Sequence, residues 1–350
     1  LGQAKKELTT LMSGALPNGF MPHIIFWEME KQPDFLSRNI VGMTTPNTSA
    51  TMQPPIIAYA VERVYQATGD EAFKDAALPV LTGFYRWLRE MRDPDNDGLI
   101  AVIQPEEAGT DCSPKYDEVL GLEELSNQGF ITALRKVYAA YEPLRGDDHR
   151  ILAADLFHVE DVLVNSIYVM GLRSLARLLG DAPEAAEFNR EADKTRDALL
   201  AKCWDEEVGA FFDLSGVAEK PLKEVTISSL MPLVMEDLPR PIVERLVNTW
   251  VTDPKHFWTP YPLPSVPASD PKFMPGNPRG FIWRGPSWIN TNWFLSHALR
   301  RHGYADLADT IVAKSQECIE KSGFREYYEP FTAVGLGARD FGWSTLILDM

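Results

Sequence analysis

The chain has 350 residues, 45% of them hydrophobic, with 50 acidic against 34 basic side chains and a formal net charge of −16. That length suits one large domain or two ordinary ones with a well-filled core, and the negative charge argues against nucleic acid or an anionic membrane as partner. No apolar run reaches the roughly 18 residues of a membrane span, and three scattered cysteines (Cys112, Cys203, Cys318) suit a reducing, cytoplasmic setting better than a disulfide framework or a zinc site.

Gln3 to Met12 reads as a helix with one wet face. A long connection, 15–52, follows; it holds His23, Phe26, Trp27 and Glu28 and leads to Gln53. From Pro54 to Val61 the chain is apolar on every side and continues through Val64 and Tyr65, which predicts a helix buried all round. Glu71 to Arg92 carries one stripe (Phe73, Ala77, Val80, Leu81, Phe84, Leu88, Met91) facing away from Lys74, Asp75, Arg89 and Glu90. That helix should have one wet face.

Residues 93–156 form an excursion with a helix near 128–142, which reads as an insertion rather than a stave of the barrel, the alternative being a missing outer helix. The excursion opens on Asp93-Pro94-Asp95-Asn96-Asp97-Gly98, which resembles the start of a calcium loop. Gln104 stands where the bidentate Glu belongs, so an Asx-rich turn is the favoured reading of Asp93, Asp95 and Asp97. The buried and wet-faced pair then recurs. Val159 to Leu179 is nearly all apolar, and Glu184 to Lys202 carries the stripe Phe188, Ala192, Thr195, Leu199. Residues 204–225 include a short hairpin arm near Gly209 to Asp213. A shorter pair, Ile227 to Val234 and Pro241 to Trp250, precedes a Pro- and aromatic-rich loop, 251–285. Ser287 to Leu299 is buried, Tyr304 to Lys321 has the stripe Leu307, Ile311, Cys318, and an apolar run after Asp340 reads as a last buried helix.

Alternating buried and wet-faced helices imply two concentric layers, an all-α (α/α)6 toroid or barrel. The inner helices fall near 53–67, 157–180, 226–235, 286–302 and 340–350, the outer ones near 3–14, 71–92, 183–203, 240–250 and 304–322. Six pairs would need one more, so residues 1–350 read as a single catalytic domain whose first helical hairpin belongs before Leu1. In such a fold the short inner-to-outer turns (Gly69-Asp70, Gly180-Asp181, Gly303) lie on one face. The long connections, including those carrying Asp111 and Glu326, emerge on the other. Two carboxylates on one rim, with aromatic neighbours, are the equipment for glycoside hydrolysis: one protonates the leaving oxygen and one activates water.

The segment Gln104-Pro105-Glu106-Glu107-Ala108-Gly109-Thr110-Asp111-Cys112-Ser113-Pro114-Lys115-Tyr116-Asp117 resembles a motif of the mannosylglycerate/glucosylglycerate hydrolase-like glycosidases, relatives of glycoside hydrolase family 63 with an (α/α)6 barrel. Three more segments agree in order: Gln53-Pro54-Pro55; Trp283-Arg284-Gly285-Pro286-Ser287-Trp288-Ile289-Asn290-Thr291-Asn292-Trp293; and Glu326-Tyr327-Tyr328-Glu329-Pro330 with Gly335-Leu336-Gly337 and Phe341-Gly342-Trp343-Ser344. The resemblance spans almost the whole chain. It implies an inverting hydrolase with Asp111 as general acid and Glu326 as general base, acting on a short α-linked glucoside or mannoside without a cofactor or metal. It departs at Glu106, where an aromatic residue is usual.

A protonated Asp111 requires an apolar pocket or a neighbouring carboxylate, and Glu106, Glu107 and Asp117 are near in sequence. Among substrate-binding candidates, Arg284 either holds sugar hydroxyls, orients Glu326 or clamps loop carbonyls. Trp283, Trp288 and Trp343 either wall the sugar or pack the core. Tyr327 and Tyr328 should split, one toward the site and one toward the core. Gln53 either donates to a hydroxyl or caps its helix; Lys115 either meets an anionic aglycone or is solvated. Trp27 and Tyr116 complete the set. Two other readings remain at this point: a sugar epimerase of the N-acylglucosamine type using His23 and His158, and a non-catalytic carbohydrate-binding relative.

Overall fold

The structure, a computed structural model, describes residues 1–27, 48–122, 125–144, 146–278 and 280–350; Glu28 lies outside them. Two compact units emerge. One comprises Leu1–Gly109, Thr132–Ala201 and Ser215–Lys220, the other Thr110–Ile131, Lys202–Leu214 and Pro221–Met350.

The first unit contains α1 (Gly2–Met12), α2 (Ile57–Thr68) and α3 (Glu71–Arg92). Gly69 closes α2 in a left-handed conformation, φ 61°, and Asp70 caps α3 by accepting from Phe73 N at 3.1 Å. The expected stripe of α3 is buried through Phe73, Ala77, Leu81, Phe84 and Leu88. α2 departs from expectation: it buries Ile57, Ala58, Val61 and Val64 but leaves Arg63, Gln66 and Ala67 exposed. Its second half carries polar side chains that need water, and the one buried charge there, Glu62, is paired with Arg177 at 2.6 Å.

The excursion helix is α4 (Asn127–Tyr141). Next comes α5 (Val162–Leu179), capped by Asp161 and buried at every residue except Arg173, Arg177 and Leu179. Among the described helices only α5 is long and apolar enough to cross a bilayer, and here it is the packed core of the first unit. α6 (Pro183–Ala198) packs along it with Phe188, Ala192 and Thr195 inward, as the sequence implies.

In the second unit the expected hairpin arm forms from β1 (Trp204–Asp205) and β2 (Ala210–Phe211). The inner helix expected near 226–235 is present and wholly buried, but as a 3-10 helix, Ile227–Val234. Pro232 within it lacks the N–H that an α-helical turn would use. α7 (Arg240–Leu246) runs on into a wider π turn, Val247–Val251. α8 (Ile289–Arg301) and α9 (Ala305–Ser322) pack against each other as the last helical hairpin.

Two further features differ from the sequence reading. The chain after α9 forms an antiparallel hairpin, β3 (Arg325–Tyr328) with β4 (Gly335–Arg339). The apolar run after Asp340 is a 3-10 helix, Gly342–Asp349, whose one buried residue is Ser344. Leu346 and Met350 pack beneath it on the Tyr261–Tyr328 cluster, while Leu348 is 85% exposed. The expected last buried helix is therefore a surface helix of which one edge is covered.

Candidate active site

Asp111 sits in a turn entering the short helix Pro114–Tyr116. Three sets of contacts within the second unit fix this loop. Arg284, fully buried, donates Nε to Cys112 O at 3.0 Å and grips both carboxylate oxygens of Asp117, with Nη1 at 2.9 Å from Oδ2. Lys115, 2% exposed, pairs with Asp213 at 2.9 Å and donates to Ser228 Oγ at 2.9 Å. Tyr116 is buried with its hydroxyl 3.2 Å from Thr110 Oγ1. Lys115 is thus neither solvated nor offered to an anionic aglycone, since a buried ammonium needs the carboxylate it has.

Burial, and then the negative charge of Glu326, push the Asp111 carboxyl up to about 6, against an opposing contribution from its own backbone N–H. The charge that raises Asp111 therefore comes from the far end of the chain, not from a neighbour in sequence. Glu107 is neutralised in the first unit by Arg92 (2.6 and 2.8 Å) and by the N–H groups of Met52 and Ile103. Glu106 accepts from Tyr138 at 2.7 Å, and Asp117 belongs to Arg284.

Glu326 is the second residue of β3. Its Oε2 accepts the backbone N–H of Ala338 on β4 at 2.8 Å. Arg325, its neighbour, does not answer it as a simple surface salt bridge would; its guanidinium donates to Gly337 O at 2.9 Å. β3 is also tied to the Trp-Arg-Gly-Pro-Ser-Trp segment, because Ser287 and Tyr328 exchange backbone hydrogen bonds at 2.8 and 2.9 Å. Arg284 therefore holds the Asp111 loop, and Ser287, three residues on, holds the Glu326 strand. One short segment spans both carboxylates, which explains why it combines an arginine, turn residues and tryptophans.

The aromatic candidates sort by depth. Trp283 and Trp288 stack at 4.1 Å with their planes 1° apart, and both are buried. Trp288 also meets Tyr327 at 4.7 Å and Trp343 at 5.7 Å, and Trp343 is 37% exposed, so it presents the open end of the group. Tyr327 and Tyr328 split as expected of alternating strand residues. Tyr328 is in the core with its hydroxyl on Gly323 O at 2.8 Å. Tyr327 joins the Trp288 group, accepts from Asn277 Nδ2 at 2.8 Å, and is raised above the usual phenol range by burial and then by Glu326. Asn277 escapes sequence reasoning: a lone Asn in a Pro-rich loop gives no periodic or motif signal.

Trp27 and Gln53 belong to the first unit. Trp27 is 72% exposed. Gln53 does not cap α2; its Nε2 donates to Glu106 O at 2.6 Å and lies 3.4 Å from His23 Nδ1. His158 is buried, and burial lowers its imidazole below the usual range. The Asp93 loop is the Asx turn the sequence favours: Asp93 accepts from Asp97 N and Gly98 N at 2.9 and 3.0 Å, and Asp97 accepts from Leu99 N at 2.8 Å. Of its carboxylates, Asp95 and Asp97 gather with Glu160 and Glu219 within 4.8 Å, the described group a hard cation would fit.

Comparison with known proteins gives the family. The family model described as the mannosylglycerate hydrolase MGH1-like glycoside hydrolase domain matches residues 2–344. The chain is 31% identical over 385 residues to the mannosylglycerate hydrolase of Thermus thermophilus, covering 99% of this chain and 88% of that protein. It is 28% identical to the glucosylglycerate hydrolase of Mycolicibacterium hassiacum, covering 98% and 85% respectively. The crystal structure of a GH63 mannosylglycerate hydrolase from Thermus thermophilus in complex with Tris and D-glycerate matches with a TM-score of 0.89 at 30% identity, over 100% of this chain and 89% of that one. That match agrees with the (α/α)6 class expected from the helix alternation, and a glycosidase family leaves the histidine-based epimerase reading without support. The chain belongs to the MGH1-like family of mannosylglycerate hydrolase-type proteins and is a glycoside hydrolase.

Proposed function

We propose that this enzyme hydrolyses a short α-linked mannoside or glucoside with inversion, and that its substrate is a glycosyl glycerate. Asp111 protonates the glycosidic oxygen. Glu326 takes a proton from the water that attacks the anomeric carbon from the opposite face. The observation that carries the assignment is the raised Asp111 carboxyl, pushed to about 6 by burial and by the Glu326 charge. An acid with an ordinary aspartate value would be protonated in fewer than about one molecule in a thousand at pH 7; one near 6 is protonated in about one in ten. Glu326 accepts a backbone N–H and stands beside the Trp288–Tyr327 aromatic group, the setting for a carboxylate acting as base.

The relatives support the substrate class: they are named for mannosylglycerate and glucosylglycerate, and one is solved with D-glycerate. Because Lys115 is committed to Asp213, the glycerate carboxylate has to be recognised by other groups. The test is a panel of mannosylglycerate, glucosylglycerate, kojibiose, nigerose, trehalose and aryl α-glycosides, with the released sugar followed by proton NMR before mutarotation. One glycosyl glycerate should be hydrolysed fastest and give the β-anomer first. Release of the α-anomer, or preference for a disaccharide, would contradict the proposal.

A further inference from the structure

Glu326 lies opposite an irregularity in its partner strand. Arg325 and Tyr327 are two residues apart on β3, whereas their partners Arg339 and Leu336 are three apart on β4. Gly337 and Ala338 therefore share the place facing Glu326, which makes a β-bulge. Gly337 is left-handed, φ 64°, and a Cβ there would overlap Glu326 Oε2 and stand 2.7 Å from both Glu326 Cβ and Tyr327 Cε1. Ala338 donates its N–H to the same Oε2 at 2.8 Å, and Arg325 ties the bulge back through Gly337 O at 2.9 Å.

We propose that the Gly337–Ala338 bulge is a positioning element for the general base. The missing side chain at Gly337 makes room for the carboxylate, and the Ala338 N–H binds one of its oxygens. Oε1 is left as the oxygen that takes the proton from water. A straight strand would pair Glu326 with one residue and aim no N–H at its carboxylate. Bulges re-aim side chains in this way, and a displacement of about 1 Å at a reacting group costs roughly a hundredfold in rate. The inference rests on Glu326 being the base.

The experiment compares Gly337→Ala with Gly303→Ala on the glycosyl glycerate hydrolysed fastest in the panel. Gly303 has φ 87° and nothing within 4 Å of an added Cβ, so its variant carries backbone strain without touching Glu326. Gly337→Ala should lower kcat about a hundredfold with KM changed less than about twofold, while Gly303→Ala stays close to the parent. Combined with Glu326→Gln, Gly337→Ala should cost nothing further, because both act through one carboxylate. An unchanged kcat in Gly337→Ala, or losses that multiply in the double variant, would overturn the inference. Should Gly337→Ala fail to fold, Ala338→Pro replaces the donated N–H with the ring Cδ and so breaks the same contact from the Ala338 side; parental kcat there would overturn it equally. Full activity of Glu326→Gln would instead remove the base assignment and this inference with it, a result distinct from an active Gly337→Ala beside an inactive Glu326→Gln.

Discussion

Around Asp111 the second unit uses charged side chains from distant parts of the sequence. Arg284 holds Cys112 O and Asp117, and Lys115 reaches Asp213 and Ser228. Around Glu326 it uses main chain: the Ala338 N–H across a bulged hairpin, and the Ser287 backbone bridging to Tyr328. With the roles proposed above, the difference follows from what each carboxyl group would have to do. An acid that keeps its proton has to be shielded from water, and a loop buried that far needs compensated ion pairs to hold its shape. A base has to stay accessible to water, so a half-exposed strand and one backbone donor suffice.

Replacing the two carboxylates separates these roles most sharply. Asp111→Asn and Glu326→Gln should each lower kcat/KM for a glycosyl glycerate by about a thousandfold or more. An α-glycosyl fluoride, whose leaving group needs little protonation, should recover much of the loss in Asp111→Asn and little of it in Glu326→Gln. Equal recovery in both would erase the distinction between the two regions.

A smaller effect is expected from Arg284→Met, which removes the buried partner of Asp117 and leaves it only Lys272 at 3.5 Å. Thermal unfolding should show a loss of roughly 1–3 kcal/mol, and the folded fraction should lose kcat because the Asp111 loop is released. Unaltered stability would mean that the loop is held by something other than this pair.

Much of the fold was legible because helical periodicity is a local property. Most of the α3 stripe, the α6 stripe, the nearly all-apolar α5 and the Gly-Asp turn before α3 stand in the sequence as they stand in the structure. α2 and the segment after Asp340 were misread because an apolar run shows what can be buried, not what is available to cover it. The β3–β4 hairpin was missed for another reason. Its strands are short, β4 is rich in glycine and exposed, and its pairing is specified by a bulge rather than by alternation. Of the candidate residues, Asp111 and Glu326 stand out in the sequence as two carboxylates on one rim, and the resemblance supplies the roles proposed for them. The roles of Lys115 and Arg284 were not readable, since a buried ion pair depends on a partner about a hundred or more residues away.

The most direct measurement is the titration of the Asp111 carboxyl by carbon-13 NMR in the parent enzyme and in Glu326→Gln. A midpoint near 6 is expected in the parent, from burial first and the Glu326 charge second. Removing that charge should move the midpoint down without restoring the ordinary value, because the burial remains. In the parent, kcat/KM should fall as pH rises through the same midpoint, since the deprotonated form cannot act as acid. An Asp111 that titrates near its ordinary 3.8, or whose midpoint ignores Glu326→Gln, would contradict the pairing of these two carboxyl groups.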